Sequence, residues 1–142
     1  MSNAIDRKTV RDALVAQLRP ALTVAQVVEG HKANVKGQWP AVFLLTSGSL
    51  RPQVTEQGIR SEFYYLAQLW VLYQKDGLWT EAEAEDTLDA LEHQLAEWMA
   101  NHQVDELWTA LMFEGRSRVG IVVEGGEAYL VEEIPIKAEV YG

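Results

Sequence analysis

Residues 80–101, TEAEAEDTLDALEHQLAEWMAN, limit the possible folds more than any other stretch. Apolar side chains fall at Ala84, Leu88, Leu91, Leu95 and Trp98, with Met99 beside the last. That alternation of four and three residues keeps them on one stripe of an α-helix. Thr80 and Glu83 have the spacing of a capping box, and Glu81, Glu83 and Glu85 place negative charge at the positive end of the helix dipole. Asn101 suits a helix stop. The predicted rod is roughly 30 Å long, enough to cross several strands. Its apolar stripe needs a second layer to bury it, while the face carrying Glu81, Glu85, Asp89, Glu92 and His93 is left for water or a partner.

The rest of the chain supplies that layer. From Ile59 to Tyr73 the sequence alternates, with Ile59, Phe63, Tyr65, Ala67, Leu69, Val71 and Tyr73 on one face and only Ser61 interrupting. The other face mixes Arg60, Glu62 and Gln68 with Tyr64, Leu66, Trp70 and Leu72. An extended run this long covers roughly 50 Å, so it either bends over the core or projects from it. Shorter strands are expected at 23–28, 41–45 and 118–123, the last alternating Val119, Ile121 and Val123. Glu106 to Phe113 is ambiguous between strand and helix and reads better as strand. Residues 46–58, with Gly48, Pro52 and Gly58, are either a loop or the first arm of a long hairpin. Asp76-Gly77 is a turn into the long helix, and Gly125-Gly126 is a two-residue hairpin link. Tyr129 to Tyr141 alternates cleanly, but Pro135 lacks an amide proton, which predicts an edge strand or a bulge there. A first helix over 6–19 carries Val10, Leu14 and Leu18 on one face and should end or bend at Pro20. The sum is one α+β domain over residues 1–142. A short N-terminal helix and one long central helix pack on a mainly antiparallel sheet of about five to six strands.

Charge is divided along the chain more sharply than its total of −9 conveys. Residues 1–75 carry a net +4, residues 76–115 a net −11 without a single Lys or Arg, and residues 116–142 a net −2. The acidic block argues against direct, sequence-specific nucleic-acid binding, because phosphates need clustered cations. It reads either as a solvated face or as a surface that meets the basic part of another copy, head to tail. No apolar run is long enough to span a bilayer, so no membrane is expected. The N-terminus lacks the apolar core of a signal peptide, and Ser2-Asn3-Ala4 has the look of an expression scar. Cysteine is absent, which excludes disulfides and thiolate chemistry.

Motifs for catalysis are missing. His31, His93 and His102 have no metal-clamp spacing, Thr46-Ser47-Gly48-Ser49 is a polar turn without an assigned base, and Glu124-Gly125-Gly126-Glu127 lacks the Lys-Ser/Thr of a phosphate loop. The expectation is therefore no catalytic residue, no cofactor, no metal and no enzyme. Trp70, Trp98 and Trp108 lie in periodic elements and read as core. Trp39, Tyr64 and Trp79 border loops or the mixed face, where aromatics either shield the core edge or anchor an interface. With Arg51 and Arg60 on the basic side and Glu81, Glu85, Asp89 and Glu92 on the acidic side, they form the expected contact set.

The order of these segments is similar to that of a known family. A short helix is followed by a Trp-Pro-Ala-Val-Phe-Leu strand at 39–44, a polar Gly/Pro loop and a long aromatic strand. Then come Glu-Asp-Thr-Leu-Asp-Ala-Leu-Glu on a helix at 85–92 and Glu-Gly-Gly-Glu-Ala-Tyr at 124–129 before an alternating strand. Over roughly residues 6–141 this pattern resembles the tail terminator, or tail-completion, proteins of lambda-like and Mu-like bacteriophages and prophages. The resemblance implies a small α+β structural protein without catalytic residues. It would assemble as a ring of copies of itself, hexameric in the family, at the head-proximal end of the tail tube and meet other tail or head-connector proteins. The implied location is the host bacterial cytoplasm during assembly and then the virion tail. Two other classes fit the bare residues: an acidic adaptor or inhibitor that masks a basic partner, and a small enzyme or ligand-binding domain, which would need a deep pocket.

Overall fold

The computed structural model describes residues 5–22, 26–29, 40–55, 58–75, 78–79 and 81–141. Trp39, the 30–38 loop, the Asp76-Gly77 turn, the Thr80 cap and the first residues of the 23–28 strand lie outside them, as do the side chains of Ile59, Trp79 and Glu81. The elements run α1 (Arg7–Ala21), β1 (Gln26–Glu29), β2 (Ala41–Thr55), β3 (Gly58–Leu72), β4 (Gln74–Lys75), β5 (Leu78–Trp79), α2 (Glu81–Asn101), β6 (Ala110–Phe113), β7 (Arg118–Glu124) and β8 (Glu127–Tyr141). The fold is α+β. A sheet in the order β1-β2-β3-β8-β6, with β7 also on β8, is antiparallel except for the β1–β2 pair, and β4–β5 form a small separate ribbon.

Alternation on β3 decides the layering. Phe63, Tyr65, Ala67, Leu69 and Val71 are buried on the helix side, where they meet Val10, Leu14 and Leu18 of α1 and Leu88, Leu91 and Leu95 of α2 in one core. The predicted stripe of α2 is thus the face it buries, from Ala84 through Trp98 and Met99. Asp6 caps α1 by accepting the Thr9 amide proton at 2.7 Å, and Pro20 falls in the last turn, with the helix ending one residue later. At the other helix, Asn101 Nδ2 donates to the Glu97 carbonyl at 3.1 Å and His102 stacks on Trp98 at 4.4 Å between ring centroids. Trp108 is buried and donates its indole N–H to the His102 carbonyl at 2.8 Å. Strand β6 begins only at Ala110. Before it, the backbone amide of Asp105 donates to the Trp108 carbonyl at 3.0 Å, which turns residues 105–108 back on themselves.

Residues 46–55 are the second half of β2, the hairpin arm rather than the loop. Register shifts between Thr46 and Gly48 and between Leu50 and Gln53 bend this strand. Gly48 sits at the first shift with φ +148°, a conformation that favours glycine. Strand β8 accompanies β3 as far as the Arg60–Tyr141 pair, and Ser61, Phe63 and Val140 are buried there, so this end of β3 stays with the core instead of projecting from it.

The expected edge position of the Pro135 strand is corrected. β8 is interior, held by β3 on one side and by β6 and β7 on the other. The missing N–H is accommodated by the neighbour. Residues 110–124 run antiparallel to β8 but leave the ladder over 114–117, opposite Ile134 and Pro135. In antiparallel strands the N–H and C=O of one residue point the same way. The Pro135 carbonyl accepts from the Glu114 amide at 2.9 Å, so its nitrogen faces this interruption and the β3 ladder loses nothing. Replacing Pro135 by Val should therefore change stability by less than about 0.5 kcal/mol. Ile136→Ala, one residue on and buried on the helix side, should cost about 2–5 kcal/mol. Urea denaturation of both variants checks the contrast, and a large loss in Pro135→Val would contradict this register.

Candidate interaction surfaces

Three surfaces stand out, and the ladder positions them. The first is the corner where α1 crosses β2. Arg7 Nη1 donates to Ser49 Oγ and Arg11 Nη1 to Thr46 Oγ1, both at 2.9 Å, and the Tyr65 hydroxyl donates to the Arg7 carbonyl at 2.7 Å. Arg51 lies 4.9 Å above the Phe63 ring and reaches Ser61 Oγ at 3.3 Å. Together with Lys8, which pairs with Asp12 at 2.7 Å, these arginines surround an open cleft of about 440 Å³. Four cations share this corner with the carboxylates of Asp6 and Asp12. Hydrogen bonding to Thr9, backbone first, holds the Asp6 carboxyl below its ordinary range. Desolvation raises the Tyr65 phenol well above its ordinary value, against the opposing field of Arg11 and Arg7.

The second surface lies on the helix-free side of the sheet. Glu62 and Glu139 face each other across the β3–β8 ladder, and Arg60 and Lys137 bridge them. Arg60 Nη2 is 3.2 Å from Glu139 and 3.6 Å from Glu62, while Lys137 Nζ is 3.4 Å from Glu62, 3.6 Å from Glu114 and 3.9 Å from Glu139. Burial alone would lower the Lys137 ammonium, but the carboxylates around it, Glu62 foremost, hold it above its ordinary value. Farther along the same side, Ala41, Phe43, Trp70, Tyr129 and Val131 form a second apolar cluster, with Trp70 5.9 Å from Phe43 and 5.4 Å from Tyr129 between ring centroids. Desolvation, with the bond to Glu127, pushes the Tyr129 phenol up to about 12.

The third surface lies on β7. Val119, Ile121 and Val123 alternate on β7 as the sequence predicts, yet they are 57%, 56% and 73% exposed. Ile121 pairs with Leu130, which belongs to the helix-side core, so this stripe faces the helix layer. α2 packs on β3 and β8, and the β7 stripe remains outside its cover. On the flank of α2 nearest β7, Asp89 and Glu92 raise the Glu132 carboxyl, which pairs with Val119 in the ladder.

The contact residues expected from sequence are thus separated. Arg51 is on the helix side and Arg60 on the other, each bound within its own chain, so they do not form one patch. Tyr64 is half-buried on the helix-free side, opposite Lys137. Glu85 and Asp89 are exposed and Glu92 half-exposed on α2. Trp79 and Glu81 contribute only their backbones to the described residues, and Trp39 lies outside them. Arg7, Lys8 and Arg11 were missed because they fell within a helix read for its apolar face. His93 is exposed and pairs with Glu97 at 2.9 Å. Among the described residues no group of three His, Asp or Glu side chains is placed to hold a metal, and no helix is long and apolar enough to cross a membrane. Comparison with protein-family models and with curated proteins finds no match.

Glu132 gives this region a pH signature. It is buried, and burial raises its pKa; Ser117 Oγ, donating at 2.7 Å, opposes the shift, and Glu92 and Asp89 add to it. A carboxyl whose pKa is raised on folding costs stability once ionised, above its folded pKa, and the cost vanishes as pH falls below the unfolded value. Glu132→Gln should therefore raise the melting temperature by a few degrees near neutral pH, with the gain disappearing in acid. Thermal melts at several pH values test it; an equal effect at all pH values would remove ionisation as the cause.

Proposed function

We propose that this chain is a structural, non-enzymatic subunit that assembles head to tail into a ring, in the manner of the phage tail terminators it resembles. The observation that carries this reading is the placing of two dissimilar surfaces on one sheet face. The cationic α1–β2 corner lies at Ser49–Phe63–Ala138 in the ladder, and the β7 stripe lies at Ile121–Leu130–Val71. They are separated by roughly 14 Å across the strands and roughly 27 Å along them, on a diagonal. Two unlike patches far apart on one subunit favour a heterologous contact, and such contacts close into rings when the rotation allows. The expected tube or connector contacts cannot use the Pro135 strand as an edge, since β8 is interior; the outer margins of β6 and β7 take that place.

The rival adaptor reading draws on the exposed acids of α2 alone and leaves the apolar β7 stripe without a role. Light scattering over a range of protein concentration and salt, followed by negative-stain imaging, separates the two. Concentration-dependent growth to closed rings, weakened by salt, is the expected result. A chain that remains monomeric throughout, with tail-tube ends added as templates, would reject the ring and leave the adaptor.

A further inference from the structure

We propose that the helix-side face of β7, rimmed by the acidic flank of α2, is the docking surface for the α1–β2 corner of a second copy of this chain. The inference rests on the head-to-tail reading and assigns its two halves to residues. The acceptor half has an apolar floor, Val119, Ile121 and Val123, and an anionic rim, Asp89 and Glu92. A floor of three exposed branched side chains is poorly matched to water, and with acidic side chains beside it is well matched to a cationic, partly apolar visitor.

The occupant follows from charge complementarity within the chain itself. Residues 76–115 hold no Lys or Arg, whereas the α1–β2 corner gathers Arg7, Lys8, Arg11 and Arg51 around one cleft. Arginine and lysine suit such a surface because their aliphatic stems lie on apolar side chains while their heads reach carboxylates. Each copy carries both halves at diagonal corners, so every subunit can receive one neighbour and dock on another.

Two variants test this in combination. One replaces Ile121 and Val123 by Lys and disables the acceptor; the other replaces Arg7 and Lys8 by Gln and disables the donor. Lys8 and Val123 are among the most exposed side chains involved, and Lys8→Gln and Val123→Lys alone serve if either double variant melts early. Alone at low salt, each should lose self-association by about tenfold or more in Kd. Mixed in equal amounts they should form a one-to-one heterodimer that grows no further, because only one intact contact remains. Self-association unchanged in either folded variant, or a mixture of folded variants that stays monomeric, overturns the proposal. A correct heterodimer alongside a wild-type protein that makes only dimers or open fibres would sink the ring while leaving the docking surface standing.

Discussion

The pairing of β3 with β8 is the constraint on which the other contacts depend. It runs from Arg60–Tyr141 to Leu72–Tyr129 without a register shift. Side chains alternate strictly across a sheet, so this one unbroken register fixes which residues of both strands face the helices. A slip of β8 by one residue against β3 would put Ile136 and Ala138 on the helix-free side and Lys137 and Glu139 in the core. Burying those charges among apolar side chains is costly enough to exclude the alternative. The outer elements are adjusted to fit this centre: β2 bends by two shifts and the β6–β7 run steps out at Pro135.

The helix-free side meets the same constraint by two means. Toward Trp70 it is apolar, and the aromatic group with Phe43 and Tyr129 is buried. Toward Arg60 it is charged, and three carboxylates surround two cations in close, largely shielded contact. Exposed pairs of this kind contribute little singly, but a shared network fixes register by making any shifted arrangement leave charges unmatched. The charges of the mixed face of β3, Arg60 and Glu62, are therefore matched within their own chain.

Sequence made the periodic elements legible because period is a local property. The α2 stripe, the β3 alternation and the Gly125–Gly126 link, with φ of +61° and +80°, appear where the residues predict them. Long-range pairing is not local, and the misreadings have that origin. Gly48 and Pro52 leave loop and hairpin arm both open until β3 supplies a partner that tolerates bulges. Pro135 looks like an edge marker until its neighbour is seen to leave the ladder. The alternation of Val119, Ile121 and Val123 places them on one face of a strand, but it does not say whether a layer covers that face. Arg51 and Arg60, both read as surface cations, proved to be on opposite faces and tied to Ser61 and Glu139.

Where local rules are broken together, the break is informative. β7 exposes its branched side chains, and beside them Glu132 is buried with Asp89 and Glu92 raising its proton affinity. A domain optimised for its own stability would place a cation among those acids, as it does around Glu62 and Glu139. Among the described residues, the same chain that bridges carboxylates on one side of the sheet gives Glu132 a serine hydroxyl as its hydrogen-bond donor. Both departures, apolar exposure and like-charge crowding, are relieved by one event: the arrival of cations carried on aliphatic stems. Arg7 and Lys8 of another copy have that chemistry, and their own corner lies too far along the diagonal to reach the acids of the same subunit.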